Sequence, residues 1–175
     1  MVSQDMSFLF RDDWTTTFFS PAIEIIARVL DDAEIGKIRD NNIWLVMTVA
    51  PGNTLSNFRL TGLKGNEACH LITIDKTISD FCRFDSSDRA GLIMHEFGHI
   101  LNDPPTDDRA RIEFYADYYA KKWKLQSNLS RCHEKYLASK LPFVSSEIEG
   151  SIRDRISELK NPHQNALVGR IKRLR

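Results

Sequence analysis

The sequence predicts a single α+β domain spanning residues 1–175. Apolar residues recur at helical spacing after Pro21, three short apolar or β-branched runs follow, and helical periodicity then returns for the rest of the chain. A helix, a small group of strands and a further set of helices, in that order, is typical of α+β proteins. One domain is also the natural expectation for a chain of this length.

The N-terminal part is expected to form an arm and one helix. Residues 1–20 are rich in aromatic side chains without a clear period, which favours an irregular arm. Pro21 can occupy the first turn of a helix, because its missing N–H group has no partner there. Ile23 and Ile26 then lie on the apolar face of one amphipathic helix over residues 21–39.

Three strands are expected next, joined as a short β-meander. Residues 43–50 are apolar and β-branched, and residues 58–61 form a second candidate strand. Residues 71–75 alternate in the manner of a third strand. This third run comes shortly before the helix that carries the principal motif of the chain.

Four helices are expected in the second half. The first begins at Ser86 or Ser87, either of which is a suitable N-cap, and the second follows the two prolines at 104–105. The third covers residues 128–141. The fourth begins at a capping-box pattern over residues 146–149.

The composition excludes several classes of protein. Lys+Arg and Asp+Glu both number 24, so no net charge draws the chain to nucleic acid or to a membrane surface. The longest strongly apolar run, residues 43–50, is too short to span a bilayer. The N-terminus lacks the basic and apolar segments of a signal peptide. Three cysteines suit free thiols in a reducing compartment. These features predict a cytoplasmic protein that binds neither nucleic acid nor membrane.

The most informative stretch is the H-E-x-x-H pattern that runs from His95 to His99. Histidines four residues apart lie on one face of a helix and can reach one zinc ion, while Glu96 can take a proton from bound water. A catalytic zinc needs a third protein ligand, and Glu113 on the next helix is the best candidate. Asp117 lies on the same face as Glu113 and is placed to accept the other N–H of a ligating imidazole.

These residues predict zinc-dependent hydrolysis of a peptide bond, with Glu96 as the general base that then protonates the leaving amine. A tyrosine or histidine should stabilise the oxyanion, and the sequence does not choose among the candidates: Tyr115, Tyr118, Tyr119, His133 and His163. A peptide substrate is expected to add as a strand to a sheet edge. The predicted edge is formed by Leu71, Ile72, Thr73, Ile74 and Asp75.

The segments 95–99 and 113–120 together resemble the gluzincin peptidases. The similarity is to the minimal cytosolic peptidases of the ImmA/IrrE type, which cleave repressor proteins, and more distantly to the CAAX prenyl endopeptidase group. The resemblance implies a small zincin-like domain, a zinc cofactor, Glu113 as third ligand and Asp117 as support for the first histidine. It also implies a repressor-like regulator as a possible protein substrate. His163 loosely matches a C-terminal histidine of the second group.

A second hypothesis places the chain in another class. Zinc would only stabilise the fold, and the surface would bind a regulator of a phage or mobile-element switch without turnover. The presence of Glu96 favours the enzyme, because a structural zinc needs no general base and usually has four protein ligands. A water ligand in the fourth position would favour the enzyme, and a fourth protein ligand would favour the binding module.

Overall fold

The computed structural model describes residues 6–10, 12–49, 56–60, 69–101 and 108–161. After a 3₁₀ turn at Ser7–Leu9, the described elements are, in chain order, α1 (Asp13–Ala27), α2 (Asp32–Asp40), β1 (Ile43–Thr48), β2 (Ser56–Leu60), β3 (Cys69–Asp75), α3 (Lys76–Phe81), α4 (Ser86–Leu101), α5 (Arg109–Lys122), α6 (Gln126–Ala138) and α7 (Ser146–Lys160). The predicted α+β class is confirmed. None of the helices in these ranges is long and apolar enough to cross a membrane.

The N-terminal part holds two helices, so the predicted arm over residues 1–20 and the single helix over 21–39 were wrong. The Asp12 carboxylate accepts the backbone N–H of Thr15 at 2.7 Å, and this N-cap starts α1 at residue 13. Pro21 therefore lies inside α1 and not in its first turn. A second aspartate N-cap, Asp31, starts α2 after a break in the helix.

The strands form a mixed sheet in the order β1-β3-β2, and the predicted meander was wrong. β1 runs parallel to β3, and β2 runs antiparallel to it on the other side. Consecutive strands along the chain need not pair, and the crossover from β1 leaves β3 in the centre. Ile43 and Leu45 of β1 and Ile72 and Ile74 of β3 are buried, while the residues between them in each strand are partly buried.

Because β3 is central, the prediction of a substrate-binding edge at Leu71, Ile72, Thr73, Ile74 and Asp75 was also wrong. Residues 70–73 of β3 pair with β1 on one side and with β2 on the other. The outer strands are β1 and β2. β1 packs against the 3₁₀ turn, α1 and α2.

A capping box starts α4. The Asp85 carboxylate accepts the N–H groups of Ser87 and Asp88, and Asp88 accepts the N–H of Asp85 in return. The N-cap is therefore Asp85, and neither Ser86 nor Ser87 has that role. Asp88 also accepts a hydrogen bond from Arg131 of α6 at 2.6 Å, which ties the start of α4 to α6.

Two glycines let α4 lie unusually close to its neighbours. A Cβ atom added at Gly91 would lie 2.4 Å from the backbone N of Leu129 in α6. A Cβ atom at Gly98 would lie 2.7 Å from the Cα and carbonyl oxygen of Ala116 in α5. The helix between these points is buried from Ala90 to Gly98. α4 is thus wedged between α5 and α6, which fixes how the motif faces the residues of α5.

We expect Gly98→Ala to destabilise the protein by about 1–3 kcal/mol, because the added methyl group must push α5 away from α4. Urea unfolding followed by circular dichroism measures this change. Gly150→Ala is the matched control, since a Cβ at Gly150 meets nothing within 4 Å and the change should stabilise α7 by up to about 1 kcal/mol. Equal free energies of unfolding for the two variants would contradict the close approach of α4 and α5.

Candidate metal centre

Two helices bring together three side chains that could hold one metal ion: His95 and His99 of α4 and Glu113 of α5. The Nε2 atoms of the two histidines lie 3.0 Å apart. The Glu113 carboxylate oxygens lie 3.4 Å from Nε2 of His95 and 3.6 Å from Nε2 of His99. Bonds of about 2.0–2.1 Å around a tetrahedral zinc separate neighbouring ligand atoms by about 3.3 Å, so the three groups fit that ion.

The ligand group of the described residues contains three members. Among the described parts of the chain, no other histidine, cysteine or carboxylate joins these three within metal-binding distance. His95 is buried, while His99 and Glu113 are partly exposed. The ligand side chains that reach the surface are therefore those of His99 and Glu113.

Asp117 lies one helical turn beyond Glu113 and contacts the first histidine. Its Oδ1 atom is 2.8 Å from Nδ1 of His95, and both side chains are buried. A carboxylate at this position assigns the proton of the neutral imidazole to Nδ1, so that Nε2 carries the lone pair for a metal.

Arg155 of α7 also belongs to the site, although the sequence did not single it out. Its guanidinium donates from Nε to Asp117 Oδ2 at 2.7 Å, from Nη2 to Asp117 Oδ1 at 2.6 Å and from Nη1 to Glu113 Oε2 at 2.8 Å. A sequence signal existed, because Arg155 interrupts the apolar stripe of α7 between the buried Ile152 and Leu159. A cation in a buried stripe needs an acidic partner.

The charges of the site shift the pKa values of its members. Burial and the Arg155 charge lower the pKa of His95, but the hydrogen bonds to Asp117 and Glu113 outweigh them and raise it to about 9. Burial raises the pKa of Glu113, yet the hydrogen bond and charge of His95 and the charge of Arg155 bring it down to about 2. Burial and the His95 charge lower the pKa of His99 to about 4.

Glu96 follows His95 on α4 and differs from the two carboxylates on α5. It is buried, and this burial raises the pKa of its carboxyl group. The charges of His95 and Arg155 oppose that rise without cancelling it. A carboxylate with a raised pKa is a better proton acceptor, which is the property that a general base needs.

An open cavity of about 940 Å³ gives access to this group. His95, Glu96, His99, Glu113 and Arg155 all line it. The rest of its wall combines polar residues with an apolar group that consists of Ile74, Ile78, Phe84, Leu92, Ile148 and Ile152.

Comparison with known proteins gives no match. No protein-family model, curated protein or solved structure matches this chain.

The five candidates for the oxyanion donor have different positions. His133 of α6 lines the cavity and is buried. Tyr119 is also buried, but its hydroxyl donates to Glu34 of α2 at 2.8 Å, so it ties α5 to α2 and its prediction as a donor was wrong. Tyr115 and Tyr118 are absent from the described wall of the cavity. His163 lies outside the described residues.

His133 and Tyr136, one turn apart on α6, are the described cavity residues with the chemistry of a donor. Nε2 of His133 lies 4.0 Å from Asp117 Oδ1, too far for a hydrogen bond, and no other described residue is a hydrogen-bond partner of this atom. Burial lowers the pKa of His133, which favours the neutral ring. Tyr136 was not among the predicted donors.

We expect metal binding to displace a proton from His95. Its pKa of about 9 means that the metal-free protein carries this proton at neutral pH, whereas a metal needs the lone pair on Nε2. The apparent affinity for Zn²⁺ should therefore rise by about tenfold per pH unit above neutrality and level off as the pH approaches 9. Calorimetric titrations in buffers of different ionisation enthalpy measure the released proton.

Asp117→Asn is the matched variant for this measurement. It removes a charge that raises the pKa of His95, so fewer protons should be released near neutral pH. A binding enthalpy that does not depend on the buffer would contradict the assigned protonation of His95.

Proposed function

We propose that this chain is a zinc-dependent peptidase of the gluzincin type, similar to the minimal cytosolic peptidases of the ImmA/IrrE type. The observation that carries the proposal is the three-residue ligand group with a buried glutamate beside it, all on the wall of one cavity. Three protein ligands and an open position are the composition of a catalytic zinc site. Two imidazoles and one carboxylate are a ligand set of catalytic zinc sites, and zinc is the metal that we propose.

Three residues of the chain have separate roles in the proposed hydrolysis. Bound zinc would lower the pKa of a coordinated water and polarise the peptide carbonyl. Glu96 accepts the proton of the attacking water and returns it to the leaving amine. His133 is the proposed donor to the developing oxyanion, because the residue lines the cavity and its buried Nε2 atom has no hydrogen-bond partner in the described part of the chain. Asp117 holds His95 in orientation throughout.

The substrate we propose is a protein or peptide, and a repressor-like regulator follows from the resemblance. The apolar wall of the cavity suits a bulky aliphatic or aromatic side chain. An extended peptide can add only to an outer strand of the sheet. We favour β2, because β1 is packed against the 3₁₀ turn, α1 and α2.

The alternative of a zinc-stabilised binding module gains no support from the ligand group. A structural zinc usually has four protein ligands, whereas the described residues supply three. A buried glutamate with a raised pKa next to the ligands has no role in such a module. The enzyme is therefore the better proposal.

Glu96→Gln should retain zinc and lose cleavage by at least about a hundredfold, since the amide keeps the shape of the side chain but cannot accept the proton. Zinc content of the purified chain is measured by mass spectrometry, and cleavage by comparing new protein N-termini in cells that carry either form. Glu24→Gln, an exposed change on α1, is the control and should match the wild type. Equal sets of new N-termini for wild type and Glu96→Gln would argue against the peptidase.

A further inference from the structure

We propose that Arg155 is a positioning residue of the metal centre, which sets the affinity for the metal by holding the carboxylates of Asp117 and Glu113 in their binding geometry. The inference rests on the proposed metal site. It adds a third helix, α7, to the two that carry the ligands.

The first argument is the shape of the contact. Nε and Nη2 of Arg155 form two parallel hydrogen bonds with the two oxygens of Asp117, at 2.7 and 2.6 Å. A planar guanidinium makes such paired contacts in one orientation only, so the fork fixes the plane of the carboxylate. Asp117 Oδ1, fixed in this way, is the atom that meets Nδ1 of His95 at 2.8 Å. Arg155 thus orients His95 through Asp117, and its Nη2 atom also lies 3.1 Å from Nδ1 and 3.4 Å from Nε2 of His95.

The second argument concerns the third ligand. The remaining nitrogen, Nη1, donates to Oε2 of Glu113 at 2.8 Å. The other carboxylate oxygen, Oε1, is the one that lies 3.6 Å from Nε2 of His99. Oε2, the oxygen held by Arg155, also lies 3.4 Å from Nε2 of His95, while Oε1 faces the second histidine. Arg155 therefore fixes the side of the carboxylate that faces the first histidine.

The third argument is electrostatic. Asp117 and Glu113 lie four residues apart on α5, and like charges at this spacing repel. Asp117 is buried, so water cannot screen that repulsion. Arg155 is also buried and lies against both carboxylates. With the guanidinium in place, the two carboxylates can point toward the histidines before any metal binds.

A purely structural role would give a different result. Arg155 could hold α7 against α5 without influence on the ligands, and its loss would then lower stability but leave metal affinity unchanged. The two roles separate when affinity is measured on variants that are shown to be folded. Metal affinity requires no turnover, so the test does not depend on a substrate.

The experiment compares Arg155→Gln, Arg155→Lys and the control Arg153→Gln, an exposed change on the same helix. Metal-free protein is titrated with Zn²⁺ against a chelator of known affinity, and circular dichroism checks the fold. We expect Arg155→Gln to bind Zn²⁺ about 10–100-fold more weakly, as for other groups that orient metal ligands. Arg155→Lys should recover part of this loss, because it keeps the charge without the fork. Arg153→Gln should bind as the wild type does.

A double variant tests whether Arg155 acts through Asp117. The protein that carries both Asp117→Asn and Arg155→Gln should lose less Zn²⁺-binding free energy than the sum of the losses in the two single variants. The reason is that both changes break the same hydrogen-bonded contact. Strictly additive losses, or a folded Arg155→Gln with wild-type affinity, would overturn the proposal. If Arg155→Gln does not fold, Arg155→Lys decides: wild-type affinity together with an unchanged visible spectrum of the Co²⁺-substituted protein overturns it.

Glu113→Ala separates this inference from the metal site on which it rests. If wild-type protein binds no zinc, or if Glu113→Ala binds it as tightly as wild type, the proposed site itself fails. If Glu113→Ala loses zinc while Arg155→Gln keeps it, only the role of Arg155 fails.

Discussion

The buried carboxylate of Asp117 is the contact on which the rest of the site depends. It accepts a hydrogen bond from Nδ1 of His95 in α4 and two hydrogen bonds from Nε and Nη2 of Arg155 in α7. One side chain of α5 therefore connects three helices. Burial of a carboxylate without such partners would cost a large free energy of desolvation. The need for these hydrogen bonds therefore restricts the positions of His95 and Arg155. The position of the first histidine is therefore a consequence of how α5 and α7 pack, as much as of the motif on α4.

Close helix packing supplies the precision that this contact needs. Hydrogen bonds of 2.6–2.8 Å across three helices tolerate little movement of the backbones. Gly98, the residue before His99, permits α5 to touch α4, and Gly91 does the same for α6 two turns earlier in the helix. The glycines cost helix stability, and the buried contacts on either side offset that cost. Glycine thus occurs at the two points where α4 comes closest to its neighbouring helices.

The sequence predicted the ligand group and the role of Asp117, because the spacings within α4 and α5 indicate which side chains share a helix face. The spacing of His95 and His99, and that of Glu113 and Asp117, follows from helix geometry, so local pattern is enough. Arg155 was missed because its approach depends on how α7 crosses to α5, which no local pattern encodes. The central position of β3 was missed for a related reason, since strand order depends on pairing between distant segments. The N-caps Asp12 and Asp31 are local signals for two helix starts, and the prediction of one helix over residues 21–39 did not use them.

The charges of the metal-free site explain how it can stay assembled and still accept a cation. Two positive groups, protonated His95 and Arg155, face two carboxylates, Glu113 and Asp117, so the buried charges balance. Loss of the His95 proton leaves the pair of carboxylates with one cation, which restores the negative potential that a divalent ion requires. Arg155 cannot lose its positive charge in the same way, because its guanidinium group stays protonated. The proton of His95 is thus the exchangeable charge of the site, and Arg155 is the fixed one.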